Sequence, residues 1–243
     1  MRHSPSKIHA PADLAPFIDH TLLRSDATLA MIENLCDEAL RFGFFAVCVN
    51  GAHVRSAHKI LNGVPSTRGT KVQIAAVVGF PLGTMSTSAK AFEARQAADD
   101  GATEIDMVMR VDLAKTAKWN ELRDDVAAVV KAVEGRAIVK VILETGLLTL
   151  GEIVSSARAC DEGGAHFVKT CTGFSTAGGT AGVATVEHVA LMRESVRESV
   201  QVKASGGVRT FETACAMIEA GATRLGTSSG VALVQGAAVT SGY

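Results

Sequence analysis

Three lysines interrupt apolar runs of the kind that build buried strands: Lys140 in IVKVIL, Lys169 in FVKT and Lys203 in VQVKAS. An ammonium is costly to bury and is depleted from strands, so each either points outward, snorkels to a rim, or serves chemistry. Three near the C-terminal ends of consecutive runs favour chemistry. Lys169 and Lys203, on neighbouring strands, can lie close enough for one cation to depress the pKa of the other, leaving a neutral amine to attack a carbonyl carbon. Such a pair predicts a Schiff-base site. Asp106, in TEIDMV, is the matching carboxylate. With strand alternation Glu104 and Asp106 face one side and Ile105 the other. A structural ion pair is one use for them. A carboxylate beside the lysines instead relays protons during carbinolamine dehydration and enamine formation, which need an acid and a base in one place.

Glycine- and hydroxyl-rich loops follow the last three runs: Thr170-Cys171-Thr172-Gly173-Phe174-Ser175, Ser205-Gly206-Gly207-Val208 and Gly226-Thr227-Ser228-Ser229-Gly230. Exposed backbone N–H groups, helix N-termini and serine hydroxyls bind phosphate without many charges. A phosphorylated small substrate is the expectation. Other chemistries lack their residues. Gly226 to Gly230 matches G-x-S-x-G, but a hydrolase elbow needs an acid and a histidine later in the chain, and Val231 to Tyr243 holds neither. Dinucleotide, P-loop and H-E-x-x-H patterns are absent. His53 and His58 do not share a helix face, and His20, His166 and His188 are scattered, so no metal is expected.

Something must hold these groups together. Short β-branched runs begin at Phe17, Phe44, Val72, Glu104, Ala137, Phe167, Val200 and Arg224. Their spacing is that of a strand plus a crossover helix. Between them the apolar period becomes helical, as in Leu29, Ile32, Leu35, Cys36, Ala39 and Leu40, or Leu122, Val126, Val129, Val130 and Val133. Glycines follow at Gly43, Gly63, Gly101, Gly135, Gly163 and Gly221, where left-handed helix ends can form. Eight βα units in a chain of 243 residues predict an α/β fold of the TIM (β/α)8 barrel type, as a single domain. Residues 1–15 read as a short N-terminal extension and 237–243 as a mobile C-terminal tail. An internal echo sharpens the barrel: Gly101-Ala102-Thr103, Gly164-Ala165-His166 and Gly221-Ala222-Thr223 each precede a strand. Five residues beyond each first glycine stand Asp106, Lys169 and Gly226, on strands four, six and eight. Alternate strands fill one interior layer, so the three positions are expected to converge.

Composition narrows the partners. Lys and Arg number 24 against 25 Asp and Glu, a net charge of -1, so no global field recruits nucleic acid or an anionic membrane. Aromatic residues are 5% of the chain, which excludes a stacking platform for single strands. Five cysteines with no C-x-x-C pair suggest a reducing compartment. The longest uncharged stretches, Val72–Ala89 and Leu225–Tyr243, are broken by Gly, Ser, Thr or Pro, so a cytoplasmic protein without a membrane segment is expected.

The motifs IDHTLL, VCVN, VVGFPLG, EIDMV, VKVILETG, FVKTCTGF, KASGGVRT and LGTSSG, in this order from Ile18 to the C-terminus, resemble the deoxyribose-phosphate aldolases, a class I aldolase family. The resemblance implies a TIM barrel that reversibly cleaves 2-deoxy-D-ribose 5-phosphate to D-glyceraldehyde 3-phosphate and acetaldehyde, without metal or organic cofactor. It implies that Lys169 forms the Schiff base, Lys203 lowers its pKa, Asp106 relays protons and Lys140 supports that network. Gly173, Gly206, Gly207, Ser228 and Ser229 match phosphate-binding positions, and Tyr243 matches a C-terminal tyrosine that aids proton exchange at the acetaldehyde carbon. A role in deoxynucleoside breakdown and a homodimer also follow from the resemblance alone.

Three departures stand out. Cys171 replaces the serine common in the family's K-T-S-T-G stretch, which predicts a changed hydrogen bond beside Lys169 or added sensitivity to oxidation. Met109-Arg110 stands where an apolar residue and Asn are usual, and Gly51 follows VCVN where Pro is common; both predict local effects. Two other readings use the same residues. A pyridoxal-phosphate barrel would bind its cofactor on Lys169 and be yellow. A silent sugar-phosphate-binding protein would keep the loops without cleavage.

Overall fold

The computed structural model describes residues 8–174 and 182–237. Its eight strands are β1 (Ile18–Leu22), β2 (Ala46–Val49), β3 (Gln73–Val78), β4 (Glu104–Val108), β5 (Ile138–Ile142), β6 (Phe167–Lys169), β7 (Gln201–Ser205) and β8 (Arg224–Thr227). Each pairs in parallel with the next, and β8 closes on β1 as a barrel. Every strand begins within two residues of its predicted start. Helices cross over between strands, including Leu29–Phe42, Thr87–Asp99, Trp119–Ala132 and Leu150–Glu162.

Helix starts are chosen locally. Thr28, Ser86, Thr149, Thr185 and Thr210 each accept, through the side-chain oxygen, the N–H three residues on. Each satisfies a donor that the first helical turn leaves unpaired. Glu152 completes a capping box with Thr149. The predicted inward face of Leu29–Phe42 holds at Ile32, Leu35, Cys36 and Ala39, but Leu29, at the first helical position, is 55% exposed.

Left-handed glycines close the units at Gly43, Gly63, Gly101, Gly135 and Gly221. Gly163 differs from the expectation: its φ is -74°, and the left-handed position passes to Gly164, at φ 87°. Gly163 is instead a close approach, because a Cβ there would lie 2.8 Å from the Arg123 carbonyl oxygen and 3.0 Å from Val126.

Two apolar shells result. Outward-facing strand residues such as Ile105, Met107, Val139, Val141, Val168 and Val202 join the main core with helix residues Leu122, Val126, Val129, Ile153 and Ala157. Inside the barrel the apolar component is small, formed by Leu23, Cys48, Ala75 and Val77. Most of the charged strand residues also point into this interior. A 3-10 turn, Pro11–Phe17, precedes β1 and buries Leu14 and Ala15. Among the described residues no helix is long and apolar enough to cross a membrane.

Candidate active site

Alternation sends Glu104 and Asp106 of β4, Lys140 of β5, Lys169 of β6, Lys203 of β7, Asp19 of β1 and Arg224 of β8 into the barrel, all buried. Three carboxylates thus meet three lysines and an arginine in one cluster. Burying a charge costs several kcal/mol, so each must find close partners. At the lower end Arg224 donates to Glu104 at 3.0 Å and to Asp19 at 2.8 Å, with its guanidinium 3.4 Å over the Phe45 ring. Lys140 lies 2.6 Å from Glu104 and donates to Asp106 at 2.7 Å. Lys203 donates to Asp19 and, at 2.8 Å, to Oδ2 of Asp106. Lys169 donates to that same Oδ2 at 2.8 Å.

The predicted convergence of positions 106, 169 and 226 is present. Gly226 completes the layer as a space rather than a side chain: a Cβ there would stand 3.0 Å from Cε of Lys203 and 2.9 Å from Cβ of Ser205. Glycine at this point lets the Lys203 stem pass.

Electrostatics follow from the pairing. Burial alone would raise the Asp106 carboxyl, but the Lys140, Lys169 and Lys203 cations outweigh it and hold the group well below the usual carboxylate range. Asp19 is likewise lowered, burial being overcome by Arg224, Lys203 and Lys140. Burial would lower Lys203, yet Asp106 and Asp19 push it above its ordinary value, so it stays an ammonium at neutral pH. Lys140 is raised for the same reason, by Asp106 and Glu104 against burial.

A cavity of about 410 Å³ opens at the C-terminal end of the strands. Lys169 is the lysine of the cluster that lines it. Gly173, Gly206, Gly207, Ser228 and Ser229, the predicted phosphate positions, line the same cavity. Gly206 has no room for a side chain: a Cβ there would fall 2.0 Å from the Gly182 carbonyl oxygen. Phe174 forms a wall, edge-on to Phe80 with ring centroids 5.2 Å apart. Lys140 and Lys203 lie beneath, fully buried. Tyr243 lies outside the described residues.

The strand ends are stitched where the lysines emerge. Thr170 donates through its hydroxyl to the Ser205 carbonyl at 2.8 Å and accepts from the Ser205 N–H at 2.9 Å. Ser205 in turn donates to the Cys171 carbonyl at 2.6 Å. This fixes Lys169 against Lys203. The Cys171 sulfur lies 3.3 Å from the Thr145 hydroxyl. Sensitivity to oxidation does not follow. The thiol is fully buried and burial pushes it up to about 11, which withholds the reactive thiolate.

Asp19 and Arg224 escaped the sequence reading, as did Thr21 and Arg209 on the cavity wall, whereas Ser205, in a predicted phosphate loop, lines it as expected. A signal for Asp19 existed: it is a carboxylate inside the apolar run FIDHT, the same anomaly that marked the lysines. Arg224 opens its strand, where a charge draws no notice. Among the described residues no group of three His, Cys, Asp or Glu side chains is placed to hold a metal ion.

Comparison with known proteins agrees with this architecture. Residues 14–236 match the family described as DeoC/LacD family aldolase. A deoxyribose-phosphate aldolase of Alkaliphilus oremlandii is 51% identical over 222 residues, 91% of this chain and 95% of that protein. One from a Geobacillus species is 48% identical over 231 residues, covering 95% and 99% respectively. Among solved structures, a putative deoxyribose-phosphate aldolase of Coccidioides immitis superposes with a TM-score of 0.84 at 41% identity, covering 92% of this chain and 85% of the other. The deoxyribose phosphate aldolase of Aeropyrum pernix, described as a unique tetramer, gives 0.81 at 32% identity, covering 94% and 92%. A profile spanning nearly the whole chain and relatives of about half identical sequence place the protein in one family: it is a DeoC/LacD family aldolase.

Proposed function

We propose that the protein cleaves 2-deoxy-D-ribose 5-phosphate reversibly to D-glyceraldehyde 3-phosphate and acetaldehyde through a lysine Schiff base. The observation that carries this reading is the position of Lys169: it lines the cavity while sharing one oxygen of Asp106 with Lys203, each at 2.8 Å. A nucleophilic amine needs a site open to substrate, a proton acceptor in contact and a nearby cation that disfavours a second positive charge. Lys203, held as an ammonium, supplies the cation.

In the cleavage direction the Lys169 nitrogen attacks C1 of the open-chain aldehyde. The carbinolamine loses water, with the Asp106 and Lys203 pair passing the protons. The resulting iminium accepts the electron pair of the C2–C3 bond as the C3 hydroxyl gives up its proton. Glyceraldehyde 3-phosphate departs, and the enamine left on Lys169 is protonated at C2 and hydrolysed to acetaldehyde. Lys140 bridges Asp106 to Glu104 and keeps the carboxylate in place. The loops carrying Gly173, Gly206, Gly207, Ser228 and Ser229 take the phosphate, so that binding energy remote from C1 orients the reacting carbon. Tyr243, by family resemblance, serves proton exchange at C2. The catalytic unit is the single domain of residues 1–243, with 1–15 preceding the barrel and 237–243 as its tail.

Incubation with acetaldehyde and borohydride, followed by peptide mass spectrometry, tests the nucleophile. Reduction of the iminium leaves an N-ethyl group, expected on Lys169 alone. Folded protein without that adduct would sink the Schiff-base mechanism. A cytoplasmic homodimer accompanies this reading. Sedimentation should then give about twice the 25.2 kDa chain mass, and a mass near one or four chains would refute the dimer.

A further inference from the structure

Glu144 follows β5 and has no part in the chemistry above, yet it is held at visible cost. It is 2% exposed, its backbone is left-handed at φ 55° and ψ 59°, and its Oε1 has no hydrogen-bond partner among the described residues. A left-handed residue with a long side chain and a buried unpaired carboxylate oxygen are both unfavourable, and they persist where the surroundings demand them. The surroundings here are specific. On either side of Glu144 the backbone is pinned to the chain leaving β6: the Leu143 N–H donates to the Lys169 carbonyl at 2.9 Å and the Thr145 N–H to the Thr170 carbonyl at 3.1 Å.

The other carboxylate oxygen, Oε2, accepts from the Thr172 N–H at 3.1 Å and from the Thr172 hydroxyl at 2.5 Å. That hydroxyl oxygen accepts in turn from the Phe174 N–H at 3.1 Å. One buried carboxylate therefore ties down Thr172, Gly173 and Phe174, all of which line the cavity. Gly173 stands at φ 83°, and a Cβ on it would come within 4.0 Å of the Gly206 Cα, so the tied segment abuts the loop after β7. This is the glycine-rich wall of the cavity rather than the Lys169 end.

Building on the aldolase reading, we propose that Glu144 is a positioning residue for the phosphate end of the substrate. It touches no reacting atom. Its charge holds the Thr172–Phe174 segment in the shape that receives the phosphate, and the strained backbone is what brings the carboxylate under that segment. A merely structural role would weaken every substrate alike, whereas this role weakens only a phosphorylated one.

Initial rates with 2-deoxyribose 5-phosphate and with unphosphorylated 2-deoxyribose separate the two, measured on the wild type, E144A and E144Q beside the acetaldehyde–borohydride adduct. For E144A, KM for the phosphorylated sugar is expected to rise roughly 10- to 100-fold, the factor carried by charge-assisted hydrogen bonds. Its kcat, its kcat/KM for the unphosphorylated sugar and its Lys169 adduct should each stay within about threefold of wild type. E144Q keeps an acceptor without the charge, so it should shift KM in the same selective way by roughly three- to tenfold, and it serves if E144A does not fold. Equal losses on both sugars, or no change in KM for the phosphorylated one, would overturn the proposal. An adduct present with equal losses refutes Glu144 alone, whereas absence of the adduct in the wild type refutes the aldolase reading and this inference with it.

Discussion

Replacing Lys169 with Leu is expected to abolish cleavage while leaving the barrel folded. Leucine keeps an apolar stem in the same space but offers no nitrogen, so no iminium forms and the C2–C3 electron pair has no sink. Losing a covalent nucleophile costs on the order of 10⁴ to 10⁶ in kcat. The fold should tolerate the change for an electrostatic reason. The cluster holds Asp19, Glu104 and Asp106 against Lys140, Lys169, Lys203 and Arg224. Without Lys169 three carboxylates face three cations, and Asp106 keeps both Lys140 and Lys203 as donors. Thermal melting should therefore stay close to wild type or rise. Turnover within tenfold of wild type in K169L would remove Lys169 from its role, whatever the melting temperature.

Asp106→Asn should fail differently, losing activity and stability together. The carboxylate accepts from the side-chain nitrogens of Lys140, Lys169 and Lys203. An amide offers one acceptor oxygen and turns two N–H donors toward the cations. Breaking a buried charge network by removing one member costs about 3–5 kcal/mol. Loss of the proton relay should lower kcat by roughly 10² to 10⁴. The stability loss has a pH signature. Because the folded Asp106 carboxyl lies below its ordinary value of 3.8, its contribution is fully present above that value. It is lost as pH falls through the lower folded value. Denaturant titrations should show the gap between wild type and D106N constant from about pH 5 to 8 and shrinking below about pH 4. A gap that widens in acid, or full activity in D106N, would contradict the assignment.

Much of the molecule was legible from the chain alone, for identifiable reasons. Strand starts were read closely because a strand buried on both faces is a run of β-branched residues, and a short sequence window contains the whole signal. The echo at 106, 169 and 226 located one interior layer because a fixed offset from a repeated turn preserves register around a barrel. Lys140, Lys169 and Lys203 were conspicuous as ammonium groups in apolar company. Gly163 and Leu29 were misjudged for the opposite reason. Whether a glycine stands there for its φ or for a neighbour's backbone depends on Arg123, forty residues earlier in sequence, and whether a first-turn leucine is covered depends on its tertiary neighbours.

The sequence by itself determined the eight-unit barrel, the three lysines with their carboxylate, and the glycine and serine loops, because each is written in residue type and spacing. Tertiary structure decided the rest. It chose Lys169 as the lysine that lines the cavity and sealed Lys140 and Lys203 beneath it. It brought Asp19 and Arg224, 205 residues apart, into one ion cluster. It turned Cys171 away from reactivity and Glu144 toward Thr172. The physical reason is common to all of these. Protonation, access and hydrogen-bond partnership are set by what lies within a few ångströms across the barrel, and closing β8 on β1 creates distances that no local window of sequence contains.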